Sequence, residues 1–168
     1  ILKQINRAKY IFFVVDCSIN LTTEDKDCWN LIRKSGKEII LIANKSELKG
    51  SKDYLYQLSE FGMEETIQIS ALSKSSLDII YKILKNKLPK VYKSKKEEKI
   101  QKTIRISIAG KPNVGKSTLY NMLYGQERVI TAPFSGTTRD SIMSIIKHKR
   151  YSFEIIDTAG LRKKGKIN

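Results

Sequence analysis

A glycine-rich stretch in the second half of the chain has residue types and a spacing that suit phosphate binding. It reads Gly110-Lys111-Pro112-Asn113-Val114-Gly115-Lys116-Ser117 and fits the pattern G-x-x-x-x-G-K-[ST]. Glycines in such a loop let backbone N–H groups turn towards phosphate oxygens, and the following helix N-terminus adds a favourable dipole. We therefore expect Lys116 to reach the β- and γ-phosphates of a nucleotide and the Ser117 hydroxyl to bind Mg²⁺.

Two further polar stretches of the second half suit the same chemistry. Asp157-Thr158-Ala159-Gly160 follows an apolar run at residues 151–156, so Asp157 could hold Mg²⁺ through water and Gly160 could offer its N–H to a γ-phosphate. Between the two motifs lies Gly136-Thr137-Thr138-Arg139-Asp140, where a threonine could complete the Mg²⁺ shell. Taken alone, this last loop would be interpreted as an ordinary turn.

The first half carries two short motifs directly after apolar runs. Asn44-Lys45-Ser46-Glu47 follows residues 38–43, and Ser70-Ala71-Leu72 follows residues 66–69. A carboxylate can accept hydrogen bonds from both N1–H and the exocyclic amine of guanine, which adenine cannot offer. The two motifs together predict a guanine-binding site.

Short apolar runs alternate with amphipathic stretches along most of the chain. This alternation predicts an α/β fold with a mostly parallel sheet, closed by a hairpin formed by residues 141–147 and 151–156. Predicted strands lie at residues 10–15, 38–43, 66–69, 104–109, 141–147 and 151–156, and predicted helices at 22–34, 51–61, 75–88 and 116–124. The lysine-rich residues 90–103 read as a solvated linker.

Composition limits the remaining function classes. The chain has 168 residues, with 32 Lys and Arg against 17 Asp and Glu, which gives a net charge of +15. A positive field favours nucleic acid as a partner, although a general bias towards Lys and Ile would give the same excess. Two cysteines are too few for a disulfide framework or a four-cysteine zinc site. No apolar run has the length of a membrane helix and no signal peptide is visible, so we expect a cytoplasmic protein without membrane contact.

Taken together, the motifs resemble the Der (EngA) family, the bacterial ribosome-assembly GTPases with two tandem G domains. Four stretches resemble the second half of the first G domain, namely residues 13–16, 21–25, 44–45 and 70–72. Three stretches resemble the first half of the second G domain, namely residues 110–118 (ending at Thr118), 136–140 and 157–166. The resemblance thus divides the chain into residues 1–89, a basic linker at 90–103 and residues 104–168, an internal piece of a longer protein.

The resemblance implies a P-loop NTPase fold with helices on both faces of the sheet, and hydrolysis of GTP to GDP during assembly of the large ribosomal subunit on ribosomal RNA. It implies Mg²⁺ ligands at Ser117, Thr138 and Asp157, and catalytic roles for Lys116, Asn113, Thr138 and Gly160. Leu161 stands where many small GTPases carry a glutamine, so K⁺ bound at Asn113 would supply charge instead. Glu47 departs from the usual aspartate, and its extra methylene moves the carboxylate about 1.5 Å outwards.

Three alternatives remain at this point. The order of the motifs is also that of circularly permuted ribosome-assembly GTPases. The tRNA-modifying GTPases share the G-T-T-R-D and D-T-A-G motifs. The third alternative is a nucleotide-binding fragment without turnover.

The strand count leads to a structural hypothesis. Each half alone would leave a sheet with unpaired edges, whereas the two halves together supply the six strands of a complete G domain. We expect the halves to combine into one sheet in permuted order, within one chain or by exchange in a domain-swapped dimer. Asn44 should then lie within roughly 15 Å of Lys116, because a bound nucleotide has about that span.

Overall fold

The computed structural model describes residues 2–48, 52–59, 61–62, 66–87, 103–125, 143–148 and 151–156. Within these ranges the elements are α1 (Leu2–Arg7), β1 (Tyr10–Asp16), α2 (Thr23–Arg33), β2 (Glu38–Asn44), α3 (Lys52–Ser59), β3 (Thr66–Gln68), α4 (Ser75–Lys87), β4 (Thr103–Ala109), α5 (Lys116–Tyr124), β5 (Met143–His148) and β6 (Tyr151–Ile156). Every predicted strand and helix is found, with each end within two residues of the prediction.

The six strands form one sheet in the order β3-β2-β1-β4-β6-β5. β1 pairs in parallel with β2 on one side and with β4 on the other, so a strand of the first half lies beside a strand of the second half. β5 and β6 form the predicted antiparallel hairpin at one edge. The hypothesis that the two halves combine into one sheet is therefore confirmed.

Strand β1 lies at the centre of the fold, and all seven of its residues are buried. Phe12 and Val14 pack in a core with apolar residues of α4 and α5, whereas Ile11 and Phe13 pack in a second core with α1, α2 and α3. Successive side chains of a strand point to opposite faces of the sheet, so the fully apolar run at residues 10–15 requires cover on both faces. The predicted helices on both faces are confirmed.

Several predicted features fall outside the described residues. They are the linker at residues 90–102, both threonine-containing stretches around Thr138 and Thr158, and the basic residues 162–166. Thr103, which we assigned to the linker, opens β4 instead because its backbone pairs with Ser152 of β6. Among the described helices, none combines the length and apolar character needed to cross a membrane.

Candidate nucleotide-binding site

The glycine-rich loop connects β4 to α5 and passes very close to β1. Gly110 has φ +145°, and a Cβ at this position would lie 2.3 Å from the carbonyl oxygen of Val14. Such a distance is far below van der Waals contact, so only glycine allows this approach. The loop is therefore fixed at its start against the central strand of the first half.

The other end of the loop is fitted around Asn44. Gly115 has φ +94°, and a Cβ there would lie 2.1 Å from Nδ2 of Asn44. Gly115 also occupies the N-cap position of α5, where a helix begins without a side-chain cap. The second glycine of the motif thus makes room for a residue of the guanine motif.

Asn44 holds three loops together and is only 2% exposed. Its Nδ2 donates to the carbonyl oxygen of Val114 at 2.8 Å, and its Oδ1 accepts from the N–H of Ala71 at 2.9 Å. Val114 is two residues from Lys116, and consecutive Cα atoms are about 3.8 Å apart. The expected proximity of Asn44 to the phosphate-binding loop is therefore confirmed.

The Ser-Ala-Leu loop is held at a second point. The N–H of Ser70 donates to Oγ of Ser76 at 3.0 Å, and Ser76 belongs to the first turn of α4. The N–H of Ser46 donates to the carbonyl oxygen of Ile69 at 3.1 Å. The structure therefore brings the guanine motif, the Ser-Ala-Leu loop and the phosphate-binding loop to the carboxyl edge of one sheet, where α/β proteins bind ligands.

Lys116 lies at the first turn of α5 with its ammonium partly buried. Nζ donates to the carbonyl oxygen of Lys111, and burial lowers the pKa of the Lys116 ammonium. Within the described part of the chain no carboxylate forms an ion pair with it. A partly desolvated cation without a counter-ion is strongly stabilised when an anion binds beside it, so the site favours phosphate.

The side chain of Lys111 is held by the N-terminus of helix α2. Nζ donates to Oγ1 of Thr22 at 2.9 Å and to Oδ2 of Asp25 at 2.8 Å, both at the N-terminus of α2. We call these three residues the α2 clamp. The sequence identified Lys111 only as part of the loop, although the T-x-x-D spacing of Thr22 and Asp25 was visible.

Lys45 forms an ion pair with a residue that was not among the predicted site residues. Its Nζ contacts Oδ2 of Asp16, at the end of the neighbouring strand, and its backbone has φ +67°. Asp16 also accepts hydrogen bonds from N and Oγ of Ser18 at 3.0 and 2.5 Å. Burial alone would raise the pKa of the Asp16 carboxyl, but the hydrogen bonds from Lys45 and Ser18 outweigh it and the pKa is lowered.

This shift predicts a pH-dependent stability. Because the pKa of Asp16 is lower in the folded protein than its ordinary value of 3.8, ionised Asp16 stabilises the fold above pH 3.8. That contribution is lost as the pH falls through the lower, folded value. Asp16→Asn should therefore lower Tm at pH 7, and the difference in Tm from the parent should shrink progressively below about pH 4.

The matched control removes a more exposed carboxylate. Glu38 pairs with Lys87 and is 47% exposed, so Glu38→Gln should change Tm at pH 7 much less than Asp16→Asn does. Thermal melts between pH 3 and pH 7 measure both variants. An Asp16→Asn difference that stays constant over this range would contradict the assignment.

The expected Mg²⁺ ligands are only partly described. Ser117 is exposed in the first turn of α5, and its hydroxyl is an oxygen donor of the kind that Mg²⁺ prefers. Thr138 and Asp157 lie outside the described residues, as do Gly160 and Leu161. Ser117 fits the metal, and the rest of the ligand set stays a prediction.

Comparison with known proteins agrees with this arrangement. Residues 105–168 match the family model described as a 50S ribosome-binding GTPase. Over 166 residues, 95% of this chain, the sequence is 39% identical to "GTPase Der" of Bradyrhizobium sp. (strain BTAi1 / ATCC BAA-1182) and covers 36% of that protein. It is 41% identical over 97% of the chain to "GTPase Der" of Desulfitobacterium hafniense (strain DSM 10664 / DCB-2) and covers 36% of it. It is 37% identical over 99% of the chain to "GTPase Der" of Thermosipho africanus (strain TCF52B) and covers 39% of that protein.

The similarity therefore extends along nearly the whole chain, but the chain spans little more than a third of the length of these curated relatives. It confirms the resemblance to Der proteins that the motifs indicated. With the six-stranded sheet, it also confirms the α/β fold of a P-loop GTPase domain.

Proposed function

We propose that this chain, which is similar to Der GTPases along nearly its whole length, binds GTP and GDP at one site built from both of its halves. The observation that carries the proposal is the position of Asn44, which bonds to Val114 of the phosphate-binding loop and to Ala71 of the Ser-Ala-Leu loop. These contacts place the guanine motif directly beside the loop that would hold the phosphates.

The phosphates would bind at the start of α5. Backbone N–H groups of residues 110–117 would surround the β-phosphate, and the Lys116 ammonium would leave the carbonyl of Lys111 to contact the phosphates. Mg²⁺, when bound, would neutralise phosphate charge, with Ser117, Thr138 and Asp157 as its ligands. Thr158, Ala159 and Gly160 would lie beside the γ-phosphate.

Hydrolysis of GTP to GDP is part of the proposal. Leu161 has no polar group with which to orient water, so Lys116, Thr138 and Gly160 would stabilise the phosphates while a K⁺ ion at Asn113 adds positive charge. Asn113 is exposed at the loop surface with φ +65°, which supports a role in contacting a ligand. The alternative within the same site is nucleotide binding without turnover.

Guanine recognition would depend on Glu47 more than on Asn44. Both ends of the Asn44 side chain already bond to loop backbone, whereas Glu47 is exposed beyond the end of β2. Lys45 is held by Asp16 and would lie against the base. A carboxylate at Glu47 would accept the two guanine hydrogens, so the preference for guanine should depend on this residue.

GDP should therefore bind more tightly than ADP, and Glu47→Ala should remove most of the difference. Glu47→Asp should tighten GDP binding if the longer side chain is strained. Calorimetric titration of the three proteins with both nucleotides measures this. Equal affinity of the parent for GDP and ADP would contradict guanine recognition, while leaving phosphate binding by the loop intact.

In the longer proteins to which it is similar, we place this function in assembly of the large ribosomal subunit, with ribosomal RNA as a partner and the cytoplasm as its location. The description of the matching family as 50S ribosome-binding and the net charge of +15 support this.

We further propose that residues 1–89 and 104–168 correspond to halves of two tandem G domains. The permuted strand order of the sheet supports this, and it equally fits a circularly permuted GTPase.

A further inference from the structure

We propose that the α2 clamp, formed by Lys111, Thr22 and Asp25, positions the phosphate-binding loop, so that the N-terminus of α2 controls affinity for phosphate. The inference rests on the proposed nucleotide binding and extends it. It assigns a positioning role to three side chains that do not themselves contact the nucleotide.

The clamp is a buried ion pair between the two halves of the chain. The side chain of Lys111 is 11% exposed and that of Asp25 is 3% exposed. Oδ2 of Asp25 accepts from Nζ of Lys111 at 2.8 Å, and Oγ1 of Thr22 accepts from the same Nζ at 2.9 Å. Two acceptors at fixed positions define the location of the ammonium, and hence of the loop residue that carries it.

Helix α2 does not need Lys111 for its cap. Thr22 and Asp25 form a complete capping box: Oδ2 of Asp25 accepts from N and Oγ1 of Thr22 at 3.0 and 2.8 Å, and Asp25 N approaches Oγ1 of Thr22 at 3.4 Å. A buried ion pair adds little net stability compared with apolar groups of the same size. The pairing of Lys111 with this cap is therefore better explained by positioning than by stability.

Lys111 also contacts Lys116, the lysine that we expect to bind phosphate. Its carbonyl oxygen accepts from Nζ of Lys116, so the position of the Lys111 backbone also sets where the Lys116 ammonium lies before a nucleotide binds. The loop is fixed at Gly110 by Val14 and at Val114 by Asn44, and the clamp supplies a third fixed point between them. Without the clamp, the backbone between these points is free to rotate its N–H groups away from the phosphates.

The test is the double variant Lys111→Met/Asp25→Asn. Lys111→Met alone would leave the Asp25 carboxylate buried and unpaired and could unfold the protein. In the double variant neither of the two substituted positions carries a charge. The amide oxygen introduced by Asp25→Asn still accepts from Thr22, so Tm should stay close to that of the parent. We expect GDP affinity to fall by about tenfold, whereas affinity for guanosine, which has no phosphate, should change by less than about twofold.

Two further variants complete the experiment. Lys111→Arg keeps a cation that can reach Asp25 and should retain most of the GDP affinity. Glu38→Gln breaks the Glu38–Lys87 pair at the opposite end of β2 and should leave both affinities unchanged. Parent-like GDP affinity in the double variant overturns the clamp but not the proposed function. If the parent protein binds no GDP, both the role of the clamp and the proposed function are overturned. Equal losses of affinity for GDP and for guanosine would indicate a purely structural role and overturn the positioning role of the clamp.

Discussion

Replacing Lys116 by alanine is expected to weaken GDP binding by about ten- to a hundredfold. The variant removes the only cation of the loop that is not paired with a carboxylate in the described residues, since Lys111 pairs with Asp25. A hydrogen bond to a charged group contributes about 1.5–3 kcal/mol, and each 1.4 kcal/mol corresponds to a factor of ten. Because burial lowers the pKa of this ammonium, contact with phosphate relieves an existing desolvation cost, which favours the upper part of the range.

The matched control is Lys85→Ala, which removes an exposed lysine from α4. Titration calorimetry with GDP measures both variants, and thermal melts verify that each is folded. We expect unchanged affinity for Lys85→Ala. Parent-like affinity for Lys116→Ala would contradict the assignment of the phosphate-binding loop.

Replacing Asn44 by alanine should damage both stability and binding. The substitution leaves the carbonyl of Val114 and the N–H of Ala71 without their partner. An unpaired buried polar group costs about 1–3 kcal/mol, so two such groups should lower the free energy of unfolding by about 2–6 kcal/mol. GDP affinity should fall by at least tenfold, because the guanine motif and the phosphate-binding loop lose the side chain that joins them.

Asn86→Ala removes an exposed asparagine from α4 and serves as the control. Urea denaturation gives the change in unfolding free energy, and titration of the folded protein gives the GDP affinity. Asn44→Asp separates the two contacts, since it keeps the acceptor for Ala71 but cannot donate to Val114. If Asn44→Ala behaved like Asn86→Ala, the site would not depend on contact between the two halves.

The elements of the fold and the chemistry of the phosphate-binding loop could be predicted from the order of neighbouring residues. A six-residue apolar run such as residues 10–15 is short for a helix and therefore predicts a covered strand, and the glycines, Lys116 and Ser117 have a spacing that depends on neighbouring residues alone. Counting strands was enough to predict that the halves share one sheet, because half a sheet would expose its edges. The central pairing of β1 with β4 agrees with that expectation.

The contacts of the polar side chains at the carboxyl edge could not be predicted from the sequence, because their partners lie far away along the chain. Asn44 belongs to the predicted guanine motif, and its amide joins Val114 and Ala71, which are 70 and 27 positions away. Lys111 belongs to the predicted phosphate-binding loop, and its ammonium pairs with Asp25, 86 positions away. Such contacts depend on the strand order and on the register that brings Asp16 beside Asn44. A motif defines which groups a residue can offer, whereas the packing of distant strands and helices determines which partners those groups meet.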